Sequence, residues 1–249
     1  MVCAVGLIPA RYGSTRFPGK PLAPIAGKSL IQRTYENASK SSLERVIVAT
    51  DDQRIYDHVI EFGGEVIMTS PECPTGTDRL AEAVRSDPEL RAADVIVNIQ
   101  GDWPCIPPTT IDAVAGVLEE GDVMGSAVMP LRHPEQLFDP AMVKCTLGAD
   151  GRALYFSRSP IPYPRDDALP PTTRYYGHLG IYSYRPHFLL QYTQLPMTPL
   201  QQLESLEQLK VLEHGYAIRL CVVEETGPSV DRPEDIEKVE QYLCLNTSS

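Results

Sequence analysis

A chain of 249 residues with 43% hydrophobic and 22% charged side chains has the balance of an ordinary globular protein and the length to bury one large core. Its formal net charge of -11 excludes a general nucleic-acid or anionic-membrane binder, since both need a broad basic surface. Six scattered cysteines without a Cys-x-x-Cys or a nearby histidine pair exclude a zinc ribbon and a small disulfide framework, and no apolar run approaches the roughly 20 residues of a membrane span. Without a signal peptide ahead of the first strand, a cytoplasmic protein with reduced thiols is expected.

Ala4 to Ile8 is a short apolar run, bounded by Pro9, that suits a buried parallel strand. Behind it the stretch from Leu7 to Leu22 carries Arg11, Arg16 and Lys20 together with Gly13 and Gly19. Guanidinium forks, an ammonium and unhindered backbone N–H groups form a cradle for a polyphosphate. The spacing is not a Walker loop, because five residues separate Gly13 from Gly19 and Pro21 follows Lys20 where a hydroxyl is needed. Nor is it a dinucleotide fingerprint, because Pro18 and Pro21 forbid direct entry into a helix. A solvated basic surface loop is the competing reading.

Leu30 to Lys40 has helical spacing and Arg45 to Thr50 is a β-branched run, so a β-α-β unit with parallel strands is expected. Asp51 is read as the cap of the next helix, to about Phe62, or as a ligand contact. Glu65 to Thr69 follows as a strand and Pro71 to Gly76 as a loop. Thr77 or Asp78 is expected to cap an alanine-rich helix whose N-terminus suits an anion, and Arg79 is equally a ligand contact or an ion pair. Val95 to Gln100 is a strong buried-strand signal ending in Gly101-Asp102. In a doubly wound sheet ligands collect beyond the carboxyl ends of strands. Asp102 is therefore the leading metal ligand, with capping of the turn at Pro104, Pro107 and Pro108 as the alternative.

From about Gly125 short extended runs and Ser157 to Pro164 read as an inserted lobe, over about residues 125–190, within a single domain. His178, Tyr182 and Tyr184 share one face of a strand, as core or as pocket. Leu203, Leu206, Leu209, Val211 and Leu212 mark one helix stopped at Gly215, with Glu204, Glu207 and Gln208 on one side. Ile218 to Val223 returns as a strand. Asp231, before Pro233 and a last helix to about Leu243, is a cap or a second acid near the metal.

With these residues assembled, the chain resembles the 3-deoxy-manno-octulosonate (Kdo) cytidylyltransferases, a branch of the sugar nucleotidyltransferases. The matches are Ile8 to Leu22, Val48 to Asp52, Gly76 to Arg79, Asn98 to Asp102, Tyr155 to Pro162, His178 to Tyr182, Leu206 to Leu209 and Val230 to Asp235. The first is shared with other sugar nucleotidyltransferases; those at His178 and at Glu207-Gln208 narrow the resemblance. One departure stands out: the family pattern Asp-Glu-Pro is here Asp102-Trp103-Pro104.

The resemblance implies an α/β fold, a Rossmann-like and mostly parallel sheet flanked by helices, with a smaller inserted lobe of antiparallel strands that binds the acceptor and contacts a partner in a homodimer. It implies the reaction of CTP with Kdo to give CMP-Kdo and diphosphate for lipopolysaccharide synthesis, with Mg2+. Ala10, Arg11, Gly13, Ser14, Lys20, Thr77 and Arg79 would bind CTP, with Lys20, Arg11 and Asp102 catalytic. Asp102 and Asp231 would hold magnesium, and Gln100, Arg158, His178, Tyr182, Glu207 and Gln208 would bind the sugar. No nucleic acid and no membrane is expected as a partner. A cytidylyltransferase for another acidic sugar such as sialic acid, or a CTP-binding module weakened by Trp103, are the alternatives.

Overall fold

The computed structural model describes residues 2–13, 17–165, 175–224 and 226–246. In chain order these form β1 (Ala4–Ala10), a 3-10 turn at Lys20–Leu22, β2 (Pro24–Ile25), β3 (Lys28–Ser29), α1 (Leu30–Ala38), β4 (Arg45–Thr50), α2 (Gln53–Glu61) and β5 (Glu65–Met68). Then come α3 (Gly76–Ser86), α4 (Pro88–Ala92), β6 (Val95–Asn98), α5 (Pro108–Ala115), β7 (Met124–Pro130), α6 (Pro134–Phe138), β8 (Lys144–Leu147) and β9 (Ala153–Ser157). The chain closes with β10 (Tyr176–Tyr184), α7 (Pro186–Tyr192), α8 (Pro199–Glu204), α9 (Glu207–Glu213), β11 (Ile218–Val222) and α10 (Asp235–Asn246).

The main sheet runs β11-β7-β10-β6-β1-β4-β5. β1 pairs in parallel with both β4 and β6, and β4 with β5. β10 alone of that row runs against its neighbours β6 and β7, while β11 is parallel to β7. The antiparallel part expected from about residue 125 is thus built into the sheet at β7 and β10, and leaves the row only as the β8–β9 hairpin on the end of β10.

Alternation along the strands divides the core between the two faces of the sheet. Leu7, Ile96, Phe156 and Tyr184 pack on one face with α3, α7 and α9; Ile8, Val97 and Ile99 pack on the other with α1 and α5. After β5 the chain crosses back over β1 to add β6 on its far side. The carboxyl ends of β1 and β6 therefore flank a point where the winding reverses, which is where open α/β sheets bind ligands. Gly101 keeps that point tight, since a Cβ there would stand 2.8 Å from the Pro9 carbonyl oxygen.

Four local readings are corrected. Asp52, not Asp51, caps α2, accepting the Arg54 N–H at 3.0 Å, because the cap is the residue directly before the first helical one. For the same reason Thr75, not Thr77 or Asp78, caps α3, accepting the Asp78 N–H at 3.1 Å. The single helix expected across Leu203 to Leu212 is two, broken at Ser205 in the left-handed region with φ 52. Leu206 and Leu209 are buried while Leu203 is 82% exposed, so the apolar period does not run through the break. β1, moreover, continues through Pro9 to Ala10.

Candidate functional site

At the β1–β6 end of the sheet lies a cleft of about 350 Å³. Its walls are the end of β1 (Pro9, Ala10, Arg11), the turn after β6 (Gln100 to Asp102) and the start of α3 (Gly76, Arg79), with Lys20 at the mouth. A second compartment of about 220 Å³ adjoins it. Pro9, Gly76, Gln100 and Glu207 line both, so the two form one groove.

The cationic loop is shaped by its glycines and prolines. Gly19 sits at φ 71, where a side chain would be strained, and its N–H closes onto the Tyr12 carbonyl at 3.0 Å. Pro21 then holds the 3-10 turn that starts at Lys20. The Lys20 Nζ donates to Asp102 Oδ2 at 2.7 Å and to the Val230 carbonyl at 2.9 Å. The Val230 N–H in turn donates to the Asp102 carbonyl at 2.8 Å. Loop, turn and C-terminal segment thereby meet at one cation.

Arg11 and Gly13 are exposed beside this point and Ala10 is buried; Ser14 lies outside the described residues. Asp102 lines the cleft with its side chain 32% exposed. Asp231 is exposed, directly follows Val230, and does not line the cleft. Among the described residues no group of three or more His, Cys, Asp or Glu side chains could hold a metal ion unaided. Magnesium asks less than that, taking one or two carboxylates and completing its shell with waters and substrate phosphates. The hard oxygens of Asp102 and Asp231 fit it on those terms.

Arg79 is 3% exposed and committed to the protein: its Nη2 donates to Asp51 Oδ2 at 2.8 Å and its Nη1 to Thr69 Oγ1 at 2.6 Å. It forms a wall of the cleft as one half of an ion pair. Thr77, expected on the nucleotide side, lines only the second compartment, where its hydroxyl donates to Glu207 Oε2 at 3.1 Å.

The second compartment gathers Gln100, Tyr182, Glu207 and Gln208. His178 stands behind it, 9% exposed, edge-on to Phe156 and tilted against Tyr182. The Ser126 hydroxyl donates its proton to the Ile181 carbonyl at 2.7 Å, so the His178 Nε2–H donates to Ser126 Oγ at 2.9 Å. His178 Nδ1 is then left to accept from Gln208 Nε2 at 3.5 Å. Gln208 Oε1 accepts from the Tyr182 hydroxyl at 3.4 Å. Burial lowers the His178 pKa to about 3 and raises that of Tyr182, helped by the Glu207 charge. Both stay neutral and hold the Gln208 amide in one orientation. His178 is thus a buried prop for the wall.

Three expectations do not fit this groove. Arg158 is not brought to it: Nε donates to the Glu204 carbonyl at 2.8 Å and Nη1 to the Pro140 carbonyl at 2.9 Å. Glu204, grouped from sequence with Glu207, instead accepts from the Ser157 hydroxyl at 2.6 Å and the Arg158 N–H at 2.9 Å, clasping α8 to the end of β9. Trp103, which stands where the family pattern has Glu, is 7% exposed in the core with Ile106 and Ile111, and its indole N–H donates to the Gly227 carbonyl at 2.8 Å. It does not line the cleft. Sequence reasoning passed over Asn98 and Ser205, which line the second compartment; the sign of Asn98 was a polar residue closing an otherwise apolar strand.

Residues 5–224 match the family model described as "Cytidylyltransferase". A protein of Protochlamydia amoebophila named 3-deoxy-manno-octulosonate cytidylyltransferase is 53% identical over 244 residues, 96% of this chain and 94% of that one. One of the same name from Chlamydia abortus is 53% identical over 249 residues, 98% and 95% of the two chains. A solved structure of CMP:2-keto-3-deoxy-manno-octonic acid synthetase complexed with CTP superposes with a TM-score of 0.90 at 42% identity, covering 97% of this chain and 98% of that one. The 4-diphosphocytidyl-2C-methyl-D-erythritol synthase of Anaerococcus prevotii, at 14% identity and a TM-score of 0.59, over 98% and 99% of the two chains, shares the fold.

Trp103→Glu should destabilise the protein by about 3–5 kcal/mol, the usual loss on removing a buried Trp, in urea unfolding, and should not raise activity. His178 titrates near 6.5 unfolded and about 3 folded, so between those values the unfolded chain binds the extra proton. Its contribution to stability is complete above pH 6.5 and fades as pH falls, by up to about 1.4 kcal/mol per pH unit. His178→Gln should flatten that part of the pH–stability curve measured by urea melts from pH 7 to 5.

Proposed function

The chain belongs to the cytidylyltransferase family, and we infer from this that it activates 3-deoxy-D-manno-octulosonate, converting CTP and Kdo to CMP-Kdo and diphosphate. The observation that carries the reading is the two-compartment groove. One compartment has a cation–carboxylate pair at its mouth, and the other is walled by amide, hydroxyl and carboxylate groups suited to a polyhydroxylated sugar. CTP occupies the first and Kdo the second.

The anomeric oxygen of Kdo attacks the α-phosphorus while the bond to the leaving diphosphate breaks, and the hydroxyl proton passes to solvent. Such transfer is mainly positioning and charge stabilisation and needs no nucleophilic side chain. Lys20 exchanges Asp102 for the triphosphate and stabilises charge building on the α-phosphoryl and leaving oxygens, and Arg11 and the backbone of Ala10 and Gly13 assist. Asp102 and Asp231 would hold magnesium, which would supply charge neutralisation of the phosphates and Lewis-acid activation of the sugar hydroxyl. Gln100, Tyr182, Glu207 and Gln208 bind the sugar, with His178 acting through Gln208. Thr77 acts with Glu207 on the sugar side, and Arg79 supports the nucleotide wall through its pair with Asp51.

The inserted lobe, together with α8 clasped to the end of its β9, also serves self-association. α6, β9 and α8 expose Phe138, Leu154 and Leu203 at 66%, 66% and 82%, a load of bare apolar side chains that a second copy would cover. Among the described residues no helix is long and apolar enough to cross a membrane. The location that suits a CTP-dependent step is the cytoplasm.

Pyrophosphate release with CTP, Mg2+ and Kdo, run beside sialic acid, tests the function; turnover with Kdo alone is expected, turnover with sialic acid alone makes the protein a different cytidylyltransferase, and none with either leaves a CTP-binding module. In the same assay Lys20→Ala should lose about 10²- to 10³-fold in kcat with an unchanged melting profile, and wild-type turnover would overturn its role. Sedimentation velocity should give a dimer that Leu154→Glu with Leu203→Glu converts to a monomer; a monomeric wild type would refute the association.

A further inference from the structure

Asn98 closes β6, a strand otherwise made of Val95, Ile96 and Val97. It is 2% exposed, and its Oδ1 has no hydrogen-bond partner. By alternation it lies on the face of Ile96, which is buried in the core with Leu7 and Tyr184. Across the sheet it pairs with Tyr182 on β10 and with Leu7 on β1, so the backbone has little freedom to carry it elsewhere. A buried acceptor left unpaired on a core strand costs stability that an apolar residue of the same size would not. Yet its side chain borders the second compartment.

The hydrogen-bonding state of that compartment says what is missing. The Gln100 Nε2 donates to the Gly180 carbonyl at 2.9 Å, the Thr77 hydroxyl to Glu207, and the Tyr182 hydroxyl to Gln208. Each of these groups commits a donor within the protein, while the Gln100 and Gln208 amides each keep a further N–H. Beside these the wall offers acceptors: the Gln100 Oε1, the Glu207 carboxylate and the unpaired Asn98 Oδ1. An acceptor-rich pocket is complementary to a ligand that donates, and a sugar donates through its hydroxyl groups.

We propose that Asn98 is a specificity-determining residue of the acceptor compartment, its side-chain oxygen accepting a hydrogen bond from a hydroxyl of the bound sugar. The inference rests on the reading of this groove as a Kdo site and adds a contact at its floor. The unpaired acceptor is the device for selectivity: a sugar with a hydroxyl at that point completes the bond, and an analogue without it leaves Asn98 as costly as before.

A structural role and a binding role predict opposite results for one substitution. Asn98→Leu keeps the number and branching of side-chain heavy atoms and removes the unpaired oxygen, and Asn98→Ala serves as a second variant should the bulkier leucine overpack the strand. Expected are a melting temperature equal to or above that of the wild type, a KM for Kdo raised about tenfold, the worth of one neutral hydrogen bond, and an unchanged KM for CTP in the pyrophosphate-release assay. An unchanged KM for Kdo in either folded variant overturns the proposal. So does a lowered melting temperature with both KM values raised together, which would make Asn98 a framework residue. If the wild type itself releases no pyrophosphate with Kdo, the functional reading fails and this inference falls with it; wild-type turnover with a silent substitution defeats this inference alone.

Discussion

A single ammonium group organises the nucleotide side of this protein. Lys20 Nζ is held at 2.7 Å from Asp102 and 2.9 Å from the Val230 carbonyl, joining segments that the chain keeps far apart. That contact adds to the Val230 N–H bond to the Asp102 carbonyl and to the Arg54 guanidinium lying 3.3 Å over the Tyr12 ring, which also tie these segments together. The pair also solves an electrostatic problem. A cation and a carboxylate are each expensive to hold alone in a partly desolvated cleft, and each lowers the other's cost. Under the proposed function, phosphate binding is an exchange of partners at Lys20.

The second compartment is built on a different principle. Apart from the Glu207 carboxylate its polar groups are neutral amides and hydroxyls held by one another, and burial keeps His178 and Tyr182 from ionising. The relay from Ser126 through His178 to Gln208 and Tyr182 fixes the direction of each donor. Rigidity of that kind suits discrimination among sugars that differ by a hydroxyl, because a wrong pattern leaves a buried group unpaired. Glu207 lines both compartments.

Much of this was legible in the sequence, and the rest was hidden for definable reasons. The apolar runs of β1, β4 and β6 and the helical spacing of α1 follow from side-chain period alone, and Gly19, Lys20 and Pro21 announce their turn by chemistry. The error at Asp51 came from a choice between adjacent carboxylates that only the Arg79 side chain, 28 residues on in the chain, decides. Arg158 looked free for a substrate carboxylate because backbone carbonyls of Glu204 and Pro140 leave no trace in a motif. Trp103 looked dangerous because sequence adjacency to Asp102 says nothing about which way a turn points its next side chain. The break at Ser205 was concealed by leucines that keep helical spacing across it.

The corner at Ser205 gives the two walls of the acceptor compartment different evolutionary freedom. Asn98, Gln100 and Tyr182 belong to neighbouring strands or their immediate ends, where a shift in one residue's position drags the register of the whole sheet. Ser205 to Gln208 hang on one left-handed residue between two short helices, and a change in that hinge or in the lengths beside it would tilt the wall while leaving the core intact. Drift toward a new acceptor within this fold therefore has an easier route through the helix corner than through the strands. The sheet side would be the memory of the ancestral substrate, and the corner the place where a new one is first accommodated.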